Sequence, residues 1–254
     1  MKLIELFSLL GASEIFTYEM TDPDTGDVLP RHRRRIVQLI NLGLIDLHSR
    51  FNIREDTLVL NVDPGITRYI LDPKNNLSVN TDGYIDDSSF PFLGNLIEIL
   101  RVQLPTGRII TLNQSQTHVQ RRDGVYAHDN TSVSNLLIST PTFNELLFAY
   151  TPTQGQYYVS YKGGALRLPM DDVENLDATT TEVILPDVFI NALCYFVASK
   201  VYNPAGAESV ARSMFHEGNN WTAKYHEEVS RLKSDMSGNK VAIEMTSFQR
   251  GGWV

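Results

Sequence analysis

The stretch Leu185 to Met236 constrains the fold more than any other, because it reads as two apolar helices with a break between them. Pro186 suits a helix start, where a missing N–H is of no consequence. Asp187 beside it favours the positive end of a helix dipole. Val188, Phe189, Ala192, Leu193, Tyr195, Phe196, Val197 and Val201 then cover almost the whole helical circumference, which predicts a helix buried on several sides. Asn203-Pro204-Ala205-Gly206 stops it. A second run places small or apolar residues at Ala207, Val210, Ala211, Met214, Gly218, Trp221, Tyr225, Val229, Leu232 and Met236, each three or four positions after the last. That is one stripe along a helix of about eight turns, and the pair predicts an αα-hairpin.

Two further helices are expected before it. Met1 to Leu10 is apolar but interrupted by Glu5, too short to cross a bilayer and followed by no small-x-small cleavage site, so it reads as an amphipathic helix with no membrane role. Pro30 opens a helix over Arg31 to Phe51 as a first-turn residue. Ile36, Leu39, Ile40, Gly43, Leu44 and Leu47 form its stripe, while Val37, Leu42 and Ile45 make the far side apolar too. Such a helix needs cover on two sides. Arg31, Arg33, Arg34 and Arg35 cluster at its N-terminal end, which is electrostatically the wrong end for cations. Two readings stand for them: a solvated charged turn, or guanidinium contacts with carboxylates of a neighbouring chain.

From Thr57 to Ile184 the pattern changes to short β-like runs: Thr57–Val62, Arg68–Leu71, Leu96–Val102, Arg108–Leu112, Val133–Ser139, Leu146–Tyr150 and Gln156–Tyr161. Pro105-Thr106-Gly107 predicts one hairpin turn, and Lys162-Gly163-Gly164 predicts another, between Gln156–Tyr161 and Ala165–Leu168. Residues 74–92 read as a long polar loop. Helices, strands, then helices argue for α+β rather than alternating α/β. The expectation is a helical bundle, made of the N-terminal helices and the C-terminal αα-hairpin, with a central β-rich insertion and an extended C-terminal tail. Residues 1–56 hold the first helices, 57–184 the β-rich region, 185–236 the hairpin and 237–254 the tail. Val241, Ile243, Met245, Phe248 and Trp253 make that tail too apolar for a solvated linker. Either it lies back on its own domain or it docks as an extended peptide on another protein, the favoured reading.

The chain holds 254 residues with a formal net charge of -8, so it offers no general basic surface for phosphates. The single cysteine, Cys194, falls inside an apolar helix and reads as a small core side chain. Asp22, Asp24 and Asp27 lack the full ligand set of a calcium loop. His32, His48, His118, His128, His216 and His226 are too scattered for zinc. No GxSxG, Walker, GxGxxG or HExxH spacing occurs. No catalytic residue, metal or cofactor is therefore expected. The sequons at Asn76, Asn130 and Asn220 lack a secretory context.

The run Arg34-Arg35-Ile36-Val37-Gln38-Leu39-Ile40-Asn41-Leu42-Gly43-Leu44-Ile45-Asp46-Leu47 is similar to a helix of the head-to-tail adaptor (connector) proteins of short-tailed bacteriophages, where a pattern like LINxGLxDL precedes a short loop and a strand. Gln156 to Lys162, and the Pro-led helix Leu185 to Lys200 followed by a long amphipathic helix ending near Arg231-Leu232, match in order and spacing; together these cover about a third of the chain. The resemblance implies a virion structural protein without catalytic residues. It would form a homo-oligomeric ring, typically twelve-fold, between the portal protein and the tail nozzle or tube, with double-stranded DNA passing transiently through its lumen. It would be assembled in the host cytoplasm. It further implies that the tail carrying Val241, Ile243, Met245, Phe248 and Trp253 docks on the portal, and in such a ring the second reading of Arg31, Arg33, Arg34 and Arg35 places them at the contact between subunits. The alternatives are another tail subunit, such as a nozzle or tube protein, and a cytosolic hydrolase built on dispersed carboxylates.

Overall fold

The computed structural model describes residues 1–14, 20–22, 24–25, 27–104, 106–110, 112–113, 138–149, 151–171, 173, 176–202 and 218–236. Among them the chain is α+β, with helices and two antiparallel sheets. Backbone contacts divide it into two units: Met1–Phe51 with Ala165–Val254, and Asn52–Gly164.

The first unit holds the helices. α1 (Leu3–Leu9) buries Leu3, Leu6 and Phe7, three residues on one helical face. Its entry is tied down by the Glu5 carboxylate, which accepts the Lys2 N–H at 2.9 Å, and by the Val183 N–H, which donates to the Met1 carbonyl at 2.8 Å. α2 (Pro30–Arg50) has Pro30 in its first turn and ends where the Phe51 N–H reaches the Leu47 carbonyl. A 3-10 turn over Asp187–Phe189 leads from Pro186 into α3 (Ile190–Tyr202). Residues 218–236 form α4. Gly218, Tyr225, Val229 and Leu232 of the expected stripe are buried, whereas Met236 at its end is exposed. The break after Tyr202 and the first turns of the expected long helix lie outside the described residues. Cys194 is buried, in keeping with a core side chain.

α2 and α3 approach closely because position 43 is glycine. A Cβ there would stand 2.6 Å from Leu193 Cδ1 and 2.9 Å from Phe196 Cδ1, inside any tolerable carbon contact. Phe51 and Phe189 close the far end of this packing with ring centroids 5.0 Å apart, a separation that suits tilted aromatic pairs.

The second unit is β-rich. Its strands are β1 (Glu55–Val62), β2 (Arg68–Ile70), β3 (Ile85–Asp86), β4 (Leu96–Gln103), β5 (Ile109–Ile110), β6 (Ile138–Ser139), β7 (Glu145–Phe148) and β8 (Gly155–Gly163). The sheets run β3-β1-β8-β4-β5 and β2-β7-β6. Alternate residues from both share one core, including Leu58, Leu60, Tyr69, Leu146, Tyr157 and Val159. Tyr69, Phe148 and Tyr157 stack edge to face through it at 5.7 and 5.9 Å.

One expected hairpin forms and the other does not. Gly107, at φ +84°, turns the chain from β4 into β5, with the Leu104 N–H donating to Arg108. After Gly163-Gly164, by contrast, Ala165–Leu168 forms no strand. Both edges of β8 are already taken, by β1 from Glu55 to Val62 and by β4 from Leu96 to Gln103, so a returning strand finds no free N–H and C=O row. Residues 74–92 are not one polar loop either: they contain a 3-10 turn over Pro73–Asn75 and the short strand β3.

Candidate functional site

Of the candidate site residues read from the sequence, the four arginines lie on α2. At about 100° per residue, Arg31, Arg34, Arg35, Gln38, Leu42, Ile45 and Ser49 fall within a narrow sector, and all seven are exposed. The opposite side, with Ile36, Val37, Ile40, Leu44 and Leu47, is buried. Leu42 is 51% exposed and Ile45 36%. The second apolar side of α2 is thus exposed at Leu42 and Ile45 among the described residues, while Val37, expected on that side, is buried.

The four arginines do not act as one cluster. Arg33 sits about 200° around the helix from Arg31 and is held inside its own chain. Its Nη2 donates to Asp27 at 2.8 Å, and it reaches the carbonyls of Val28 at 3.3 Å and Leu176 at 3.5 Å. Helical spacing alone contained that signal. Among the described residues no carboxylate pairs with Arg31, Arg34 or Arg35; Arg31 Nε donates to His32 at 3.0 Å, and Arg35 reaches the Val201 carbonyl at 3.5 Å. Burial, reinforced by the charges of Arg31 and Arg35, holds His32 below its ordinary value. Three cations at the positive end of the helix dipole oppose it.

The inner face accounts for the polar residues of Leu39-Ile40-Asn41-Leu42-Gly43-Leu44-Ile45-Asp46-Leu47. Asn41 is buried; its Nδ2 donates to the Leu168 carbonyl at 3.0 Å and its Oδ1 accepts the Leu168 N–H at 2.8 Å. Gly43 admits α3. Asp46 accepts Arg50 Nε at 2.6 Å and Nη2 at 3.1 Å, and also the Tyr225 hydroxyl from α4. Burial pushes the Asp46 carboxyl up, but the hydrogen bonds from Arg50 and Tyr225 and the Arg50 charge outweigh it and hold the carboxyl below its ordinary value. Burial, with the bond to Asp46 and its charge, pushes the Tyr225 hydroxyl up. This group joins α2 to α4.

The remaining candidates have local uses. Asp22 accepts the N–H groups of Asp24 and Thr25 at 2.8 and 3.1 Å, closing its own turn. Asn76 of the first sequon is buried and donates to the Phe92 carbonyl at 3.0 Å, so it is unavailable for modification. Among the described residues, no group of three or more His, Cys, Asp or Glu could hold a metal, and no helix is long and apolar enough to cross a membrane. His118, His128, His216 and the tail residues Val241, Ile243, Met245, Phe248 and Trp253 lie outside the described residues. No family model matches the chain, and no curated protein matches it.

Proposed function

We propose that this chain is a head-to-tail adaptor of the short-tailed bacteriophage kind: a non-enzymatic virion subunit that forms a ring between portal and tail, through whose lumen DNA passes. The observation that carries this reading is the uncovered stripe of α2. A helix that turns apolar residues and arginines toward solvent is suited to contact with another protein surface, since interface cores are more apolar than the rest of the surface and arginine is enriched there. It lies on the same helix whose Asn41, Gly43 and Asp46 carry the resemblance. In the finer architecture proposed, α1, α2, α3 and α4 form a bundle, residues 52–164 are an insertion, and residues 237–254 are the clip that docks on the portal. The net charge of -8 supports the lumenal role, because a negative wall repels the phosphate backbone and lets DNA slide, whereas a basic one would hold it.

The test is direct imaging. Purified chain mixed with purified portal is expected to give closed rings seated on portal in negative-stain images. The chain alone is expected to be monomeric or weakly associated, because an interface completed by a partner gains free energy only in its presence. Particles of one fixed small oligomer with no portal-bound density would overturn the proposal.

A further inference from the structure

The outer stripe of α2 is basic and apolar on a chain that is acidic overall, so the surface it fits must be acidic and apolar. The chain carries such a surface itself. Between Lys74 and Leu93 there are three acids, Asp82, Asp86 and Asp87, against the single cation Lys74. The same segment exposes four large apolar residues: Leu77, Val79 (70%), Phe90 and Leu93 (63%). Hydrogen bonds fix the backbone of much of this segment. Residue 76 bridges Ile85 in parallel, the Leu77 N–H donates to Ile85 at 2.9 Å, and the Ser78 N–H donates to Asp87 at 3.2 Å. Asn76 ties in Phe92, and the Tyr84 hydroxyl accepts from Ile70 and Asn75 at 2.9 Å. An exposed apolar segment fixed in this way loses little conformational freedom on binding.

We infer that the stripe Arg31, Arg34, Arg35, Leu42 and Ile45 of one copy receives the acidic and apolar segment 77–93 of a second copy. The two surfaces differ, so the contact is heterologous. Each copy would offer its stripe to one neighbour and its segment to the other, and a closing rotation makes a ring. The inference deepens the adaptor reading and rests on it for that closure. Opposite charge on the two faces selects the pairing and the register, and like charge rejects stripe on stripe.

Single-cysteine trapping tests the contact. Cys194 is buried, so Ile45→Cys and Leu93→Cys each add one accessible thiol. The two variants, mixed in equal amounts and oxidised at low salt, both alone and with portal, are expected to give the mixed disulfide dimer in excess over either self-linked dimer. Adding Arg31→Glu and Arg34→Glu to the Ile45→Cys chain should cut the mixed product by about tenfold, and adding Asp82→Arg and Asp86→Arg to the Leu93→Cys chain should restore it, because charge juxtaposition reverses twice. Unchanged melting curves must accompany each variant. Predominance of the Ile45→Cys self-product, concentration-independent linkage within a chain carrying both cysteines, or no mixed product would overturn the contact. Rings on portal without the mixed product sink the contact alone. The mixed product without rings on portal sinks the adaptor reading and leaves the contact standing.

Discussion

Asn41 is a polar side chain in a helical core, 6% exposed, and both ends of its amide are used on one backbone position, Leu168. A chain segment with no sheet partner is thereby satisfied by a side chain instead. This explains why Ala165–Leu168, which has strand-like composition, can leave β8 without burying unpaired groups. Replacing Asn41 by leucine keeps the volume but strands the Leu168 N–H and C=O. We expect Asn41→Leu to lower stability by about 2–6 kcal/mol, at about 1–3 kcal/mol for each orphaned buried group, seen as a lower urea midpoint with an unchanged slope. A midpoint within error of the parent would mean that water reaches Leu168 freely. Gly43 works by the opposite device, an absent side chain. Glycine inside a helix is unfavourable by about 1 kcal/mol relative to alanine, but here the missing Cβ is what lets α3 approach.

At the scale of elements, α2 and α4 are joined through Asp46 and Tyr225, 179 positions apart in sequence. The folded Asp46 carboxyl lies below its ordinary value of 3.8. A depressed carboxyl stabilises the fold above the unfolded value and loses that contribution as pH falls through the folded one, so the loss belongs below about pH 4. Tyr225 is raised above its ordinary 10. Its ionisation therefore has no effect on stability near neutrality and destabilises the fold as the unfolded tyrosine ionises above pH 10. Tyr225→Phe removes one of the three donors to the Asp46 carboxylate. The variant should melt lower at pH 7 and show a shallower decline in melting temperature between pH 5 and 3. Parallel acid limbs for the two proteins would place the titrating group elsewhere.

The two glycine turns show how far element boundaries could be read. Gly107 and Gly163-Gly164 carry the same local signal, and the strand before each turn was legible from alternation. Only the first became a hairpin. A turn former fixes the direction of the chain, but the identity of the neighbouring strand depends on which edges remain free, and β1, nearly a hundred residues earlier, had filled one edge of β8. The helix over residues 218–236 was legible for a different reason. Its stripe repeats every three or four residues, so it declares its buried face without reference to any partner.

Taken as a whole molecule, the chain combines a net charge of -8, a helical unit with one uncovered helix face, and a β-rich unit with an acidic, apolar segment. On the adaptor reading the apolar tail is separate from both cores. Deleting Val241 to Val254 is therefore expected to abolish binding to portal while leaving the melting temperature of the remaining chain unchanged. The pair of measurements is pull-down on immobilised portal and thermal denaturation. Retained binding would remove the clip from the proposal, and a fall in melting temperature would mean that the tail packs on its own domain.

The sequence by itself determined where the helices and most strands lie, that Cys194 and the α2 stripe from Ile36 to Leu47 face a core, and that α2 has apolar residues on more than one side. These are local properties: side-chain period and turn chemistry act over a few residues, and burial follows the period. Tertiary structure decided which strands pair and that Leu42 and Ile45 stay exposed. Those outcomes depend on elements distant in the chain competing for the same edges and faces, and no window of sequence contains that competition.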